Sequence, residues 1–388
     1  MMQTEAVLDR RRLLQAGILG GALLAADALF ARRAAAVPRY GPVGPVDANG
    51  LQLPQGFASR IVARSNVVVS GTTYKWHRAP DGGRVFAAPD GWVYVSNCEL
   101  ANGAGGVGML RFNQAGTITD ARRILNGTSR NCSGGHTPWG TWLSCEETDT
   151  GRVWEVDPLG IGPATVRPGM GRFNHEGAAV DGTNQTVYLT EDALSGLFYR
   201  YRYGQAQNLS SGVLEAAQVQ NGVVNWLPVP DPSAATKPTR KQVPNATRFA
   251  GGEGIWLSGG VVNFTTKQDD RVWAYDIARR RLQVVYDWTT NPNPVLRGVD
   301  NIAVRNNGDI FVCEDQSVLN QPEDPKICML EPSGEVSVFC RAVGHRESEL
   351  TGIAFTPSGN RMYFSSQRGT TGTVGGGTTF EVTGPFAG

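Results

Sequence analysis

One pattern returns six times along this chain, and it leaves few folds to choose from. In each copy a short apolar segment leads through a turn to a β-rich run ending on polar or acidic residues, and another strand follows. The first copy runs from Pro89-Asp90-Gly91 to Asn97-Cys98-Glu99, then Gly108 to Phe112. The second spans Asn131 to Glu147 with Gly151 to Val156, and the third His175 to Asp192 with Gly196 to Tyr201. The fourth spans Gly252 to Tyr275, the fifth Val299 to Asp315, the sixth Leu350 to Arg368. Most spacings fall at about 40–50 residues, the span of a propeller blade. The third-to-fourth interval is longer, and residues 204–247, rich in Gln, Asn, Ser, Ala and Pro, read as an inserted loop. The expected fold is all-β, a six-bladed β-propeller, or a seven-bladed one if residues 57–78 pair with the C-terminal strand Thr378 to Val382.

Composition agrees. With 49 Gly and 22 Pro the chain is rich in turns, and no long helical periodicity follows the first thirty-odd residues. Those first residues read as an address. Arg10-Arg11-Arg12 is a twin-arginine run, Ala16 to Phe30 is apolar, and Ala34-Ala35-Ala36 offers a cleavage site. The apolar stretch is too short to span a bilayer comfortably, so residues 1–36 read as a signal peptide and 37–388 as one propeller domain, with no stable membrane span after cleavage. The expected partner is the twin-arginine translocation machinery, and the expected location periplasmic or secreted. Loss of residues 1–36 would leave 31 bases against 32 acids, and the whole chain carries only +1, so nothing points to nucleic acid. Six Cys follow the signal; Cys328 and Cys340 flank a hairpin turn and read as a candidate disulfide.

Repetition turns scattered acids into a site. In a propeller the first strand of each blade lines the central axis, so equal places in successive repeats meet at one mouth. Those places hold Asn97 and Glu99, Glu146 and Glu147, Glu176, Glu191 and Asp192, Glu253, Asp300, and Glu314 and Asp315. Like charges at ~4 Å cost several kcal/mol at an effective dielectric near 20, so such a mouth needs protons or bound cations. Carboxylates suit hard cations such as calcium, and the thiolate of Cys132 can ligate iron. The alternatives are acids that merely cap turns, as Asp90, Asp181 and Asp309 do, and a Cys132 that is buried filler. His175 either orients Glu176 or sits in the wall.

The residues then resemble a known family. Asn131-Cys132-Ser133-Gly134-Gly135 with Thr137-Pro138-Trp139-Gly140-Thr141-Trp142 and Cys145-Glu146-Glu147, Gly171-Arg172-Phe173-Asn174-His175-Glu176, and Tyr188-Leu189-Thr190-Glu191-Asp192 are similar to the PhoX-type alkaline phosphatases. The resemblance implies a six-bladed propeller, Fe3+ and Ca2+ at the axis, and hydrolysis of phosphate monoesters, hence a phosphorylated small-molecule substrate. It places Cys132 and Glu176 as iron ligands and Glu146 or Glu147 with Glu253 as further metal ligands. It also sets Asp315 on the calcium side and lays Asn97 and Glu99 on an Asn-His-Glu motif whose His is Cys98 here. The family's phosphate-gripping Arg falls on Gly251, which cannot supply a bidentate charge. Arg368, or else Arg297, would have to stand in from another blade, so Asn97 and Arg368 are the candidate catalytic residues. Other readings are a calcium-binding hydrolase of another class, a lactonase or phosphodiesterase, and a non-catalytic binding propeller.

Overall fold

The computed structural model describes residues 38–387; the twin-arginine segment and its cleavage site lie outside the described residues. The unit Tyr40–Gly388 is an all-β propeller built from the repeats. First strands are Pro80–Ala88, Asn131–His136, His175–Asp181, Gly252–Ser258, Val299–Val304 and Leu350–Phe355. Each pairs antiparallel with the strand that follows it, and the sheets grow outward in sequence order. The first strands adjoin one another in chain order, and the sixth returns to the first. The third and fourth sheets touch at their outer edges through the pair Val223↔Arg281.

Closure comes from the chain's two ends. Strand Ala58–Arg64 pairs with Thr378–Thr383, so the expected contact between residues 57–78 and the C-terminal strand exists. It fills the outer place of the sixth sheet instead of starting a seventh. Arg60 grips the buried Glu381 across this seam at 2.9 Å, and Arg361 does so at 2.7 Å from the strand on the other side. Residues before Ala58 add two strands, Val43–Val46 and Leu51–Pro54, to the outer edge of the fifth sheet.

The core is a ring of apolar wedges between successive sheets. Val93, Val95 and Met109 of the first sheet meet Trp142 and Val156 of the second, and the series ends where Tyr363 of the sixth stacks on Tyr94 of the first at 5.2 Å. Each buried ring is worth about 1.5–3 kcal/mol by area, so every interface contributes to holding the ring shut.

Two expectations need correction. Residues 204–247 are not simply an inserted loop: Asn208–Gln220 is the fourth strand of the third sheet and Val223–Pro228 a fifth. Both are paired strands, the first between its neighbours in the sheet and the second between it and Arg281 of the fourth sheet, and Leu214 to Ala217 are buried although the segment as a whole is polar. The Cys328–Cys340 disulfide is absent, both thiols being free and buried. A register shift sets Ile327 opposite Cys340 and Cys328 opposite Val338. Cys340 therefore packs with Ile327 on one face while Cys328 joins Leu330 on the other.

Candidate active site at one end of the axis

A bulge repeats with the fold. In five of the six first strands, two residues face one on the partner strand directly after the first position; in the sixth the same fault lies one residue later. A bulge re-aims side chains and strengthens local twist. The second residues are Asp81, Cys132, Glu176, Glu253 and Asp300, with Thr351 in the sixth strand. All but Thr351 offer ligand atoms to one linked set of groups.

Four groups have ligand atoms within 4.8 Å of one another: Cys132, Glu147 and Glu176; Glu176, Glu253 and Asp300; Asp300, Asp315 and Glu349; Asp81, Glu99 and Glu349. Glu176, Asp300 and Glu349 are shared, so the groups run on continuously. Cys132, Glu176 and Glu253, far apart in sequence, thus belong to one cluster.

The second strands explain which acid of each pair takes part. Their last residues, Glu146, Glu191 and Glu314, are consumed elsewhere. Glu146 bonds Arg152 at 3.0 Å and the Ser129 N–H. Glu191 holds Arg240 at 2.6 Å and the Tyr199 hydroxyl at 2.8 Å. Glu314 accepts from the Arg297 and Lys326 N–H groups and lies 3.4 Å from the Lys326 ammonium. The next residue in each repeat turns the other way, as alternation along a strand requires. Those residues are Glu99, Glu147, Asp192, Lys267, Asp315 and Gln367. Asp192 stands beside the groups without joining one, its Oδ1 about 3.1 Å from where a Gly251 Cβ would sit.

Lys267 is the one cation among these six, and sequence reasoning passed over it. Its ammonium lies 2.9 Å from Glu253, 3.1 Å from Asp300 and 3.4 Å from Asp315, with the side chain 11% exposed. Burial alone would lower its pKa, but Asp300, Glu253 and Asp315 raise it well above the ordinary lysine value. Also missed were Asp81 and Glu349. Gln367 donates to Asp81 at 2.6 Å and to Glu99 at 2.9 Å. Arg368 spans the Glu349 carboxylate and the Ser317 hydroxyl, each at 3.0 Å.

One end of the cluster lacks any such partner. Glu176 is fully buried, and neither of its oxygens accepts a hydrogen bond in good geometry. Burial, then Asp300, Glu147 and Asp81, push its pKa well up, with the Cys132 thiol offsetting part. Burial, then Glu99 and Asp192, push Glu147 up to about 8. A buried carboxylate without donors is costly, and a cation between Cys132, Glu147 and Glu176 removes that cost. The donor set fits a metal.

Other expected residues serve the frame. Asn97 is fully buried, donating to the Cys132 and Ser133 carbonyls and accepting from Trp142 Nε1 and Ser144 Oγ, all at 2.7–3.1 Å. Cys98 faces the Arg78 carbonyl. His175 packs on Phe173 at 3.6 Å and bonds the Gly171 carbonyl, so it belongs to the wall. Arg297 stacks on Trp288 near Asp270, outside the cluster.

The family model of alkaline phosphatase PhoX matches residues 93–155 and 149–279. The chain belongs to the PhoX alkaline phosphatase family. Pseudomonas fluorescens PhoX, solved with the transition-state analogue vanadate, superposes with a TM-score of 0.73 at 16% identity, covering 88% of this chain and 97% of that one. A gluconolactonase from Xanthomonas campestris shares the fold at TM-score 0.50 and 12% identity, over 90% of this chain and 99% of that one. A Bacteroides thetaiotaomicron protein of unknown function does so at 0.51 and 9%, over 88% and 83%. No curated protein matches the chain significantly in sequence. Among the described residues no helix is long and apolar enough to cross a membrane.

Proposed function

We propose that this PhoX-family hydrolase is exported and hydrolyses phosphate monoesters at the acid-lined mouth with bound metal. The observation that carries the reading is Glu176, buried with both oxygens orphaned beside Cys132 and Glu147. The mixed sulfur and oxygen set suits iron, and the all-oxygen set of Asp81, Glu99 and Glu349 suits calcium. Cations there would polarise a phosphoryl oxygen and make a water a better nucleophile at neutral pH.

The chain's own cations do the holding. Lys267 is fixed by three carboxylates, and its backbone N–H bonds the Gly251 carbonyl at 2.8 Å, so its strand position is next to the one where the family carries an Arg. Arg368, fixed by Glu349 and Ser317, supplies planar donors at the same mouth. Both are set before substrate arrives, which reduces the reorganisation needed as phosphoryl charge develops.

The test is hydrolysis of p-nitrophenyl phosphate by exported protein of measured metal content, beside bis-p-nitrophenyl phosphate and an aldonolactone. Glu176→Gln should lose metal and about 100-fold in kcat/KM on the monoester. Undiminished turnover in that variant, or after chelation, sinks the reading. A preference for the lactone would transfer the site to lactonase chemistry, where the missing Arg at Gly251 is no handicap.

A further inference from the structure

We infer a second binding site, for a small oxyanion, in the axial cavity on the far side of the acid cluster. The cavity measures about 230 Å³ and runs under the bulges, walled by Ala178, Ile255, Ile302 and Ile353 and ending at Arg84, His136 and Trp256.

Arg84 is the reason. It sits three residues beyond Asp81 on the same first strand, and its guanidinium lies over the Trp256 ring at 3.8 Å. One N–H group reaches His136 Nε2 at 3.4 Å. Among the described residues no carboxylate lies within ion-pair distance of it, although more than half of the described arginines have one. Protein surrounds the charge closely enough to bring its pKa down to about 9, while its surface is wetted only in part. A guanidinium has five N–H donors, and His136 takes one. The remaining donors belong to a side chain that lines a cavity rather than packed protein.

His136 cannot serve as the missing countercharge. Burial and the Arg84 charge hold its pKa down to about 3, so it is neutral at physiological pH and accepts from Arg84 through Nε2. A planar fork already stacked on an indole is preorganised for a two-oxygen acceptor, and the apolar walls favour a ligand with a small apolar body. The volume admits something the size of phosphate or a benzoate-like carboxylate, below the usual range for drug-sized ligands. The same chemistry serves inorganic phosphate and organic carboxylates, and separate probes distinguish them.

Calorimetric titration of the exported, metal-containing protein with inorganic phosphate, acetate and benzoate tests this. Wild type should bind at least one probe, and Arg84→Gln should weaken it by about 10- to 100-fold, the loss expected for charge-assisted hydrogen bonds. Arg84→Lys, which keeps the charge without the fork, should weaken it less and serves if the Gln variant does not fold. Trp256→Leu should affect benzoate more than acetate. Phosphate held at the acid mouth is unmoved by Arg84→Gln, so only the Arg84-dependent part belongs here. Equal affinities in wild type and Arg84→Gln, or no binding of any probe to wild type at on the order of 10 mM, overturn the site.

Discussion

The two ends of the axis are opposites built on the same strands. At one end the second residues of the first strands bring together carboxylates from neighbouring repeats. A few residues further along, the same strands present Arg84, His136 and Trp256, and an adjoining hollow holds Arg305, which bonds the Ala387 and Gly359 carbonyls instead of an acid. Each end thus leaves charge wanting a mobile counter-ion, cationic at the acid mouth and anionic at the basic one. The ends differ in how much the protein neutralises for itself. The acid mouth brings in Lys267, Arg368 and Gln367, whereas Arg84 has only a neutral imidazole and an indole. Propeller closure supplies the position, and the bulge decides which side chain uses it.

The largest test of that contrast is Lys267→Met. It takes the ammonium from among Glu253, Asp300 and Asp315 and leaves three buried acids without their countercharge. Breaking a buried ion pair from one side costs about 3–5 kcal/mol, so the chelated variant should melt far below chelated wild type. Calcium should raise the variant's melting temperature more than it raises that of wild type, because the vacated place suits a cation. Equal calcium gains in both proteins would show that Lys267 does not stand in for an ion.

Much of the mouth was legible before any coordinates, and the misses have physical causes. Cys132, Glu176, Glu253 and Asp300 follow from the repeat because each is the second residue of a first strand. Asp81 occupies the same place, but Pro80-Asp81-Gly82-Gly83 reads as a turn, since the residues that make a bulge also make loops. The pairs Glu146-Glu147, Glu191-Asp192 and Glu314-Asp315 announce the strand end but not the face, because a shift of one residue exchanges inside for outside. Only the register sends the first of each pair to Arg152, Arg240 or Lys326. Lys267 could have been found by laying the fourth repeat on the second, where it falls on Glu147. Glu349 hides in the charged run Arg346-Glu347-Ser348-Glu349, which resembles a solvated surface.

At the acid end, Asn97 braces the mouth from behind. Its four side-chain hydrogen bonds hold the Cys132–Ser133 bulge against Trp142 and Ser144, leaving it no free group for substrate. Asn97→Ala should lower unfolding stability by about 2–3 kcal/mol, the sum of lost bonds and stranded buried partners. The KM for p-nitrophenyl phosphate should stay within about twofold at saturating metal, as for a residue that binds no transition-state charge. A variant as stable as wild type with a tenfold higher KM would make Asn97 a substrate contact instead.

The smallest effect belongs to the basic end and appears as a slope. His136 has a folded-state pKa of about 3, below the ordinary value near 6.5, because burial and then Arg84 disfavour its charged form. The unfolded chain therefore takes up a proton as pH falls below 6.5, while the folded one stays neutral until about 3. The stability tied to this group is fully present above 6.5 and is lost as pH falls towards the folded value. His136→Gln keeps a neutral acceptor for Arg84 and removes that proton. Urea unfolding at pH 6, 5 and 4 should show a shallower decline in the variant, by up to about 1.4 kcal/mol per pH unit. His77, His175 and His345 are also held below their ordinary pKa by burial, so a residual slope persists. Identical slopes would mean that His136 protonates freely in the folded protein. An imidazolium would then stand beside Arg84, and the basic end would carry two uncompensated charges instead of one.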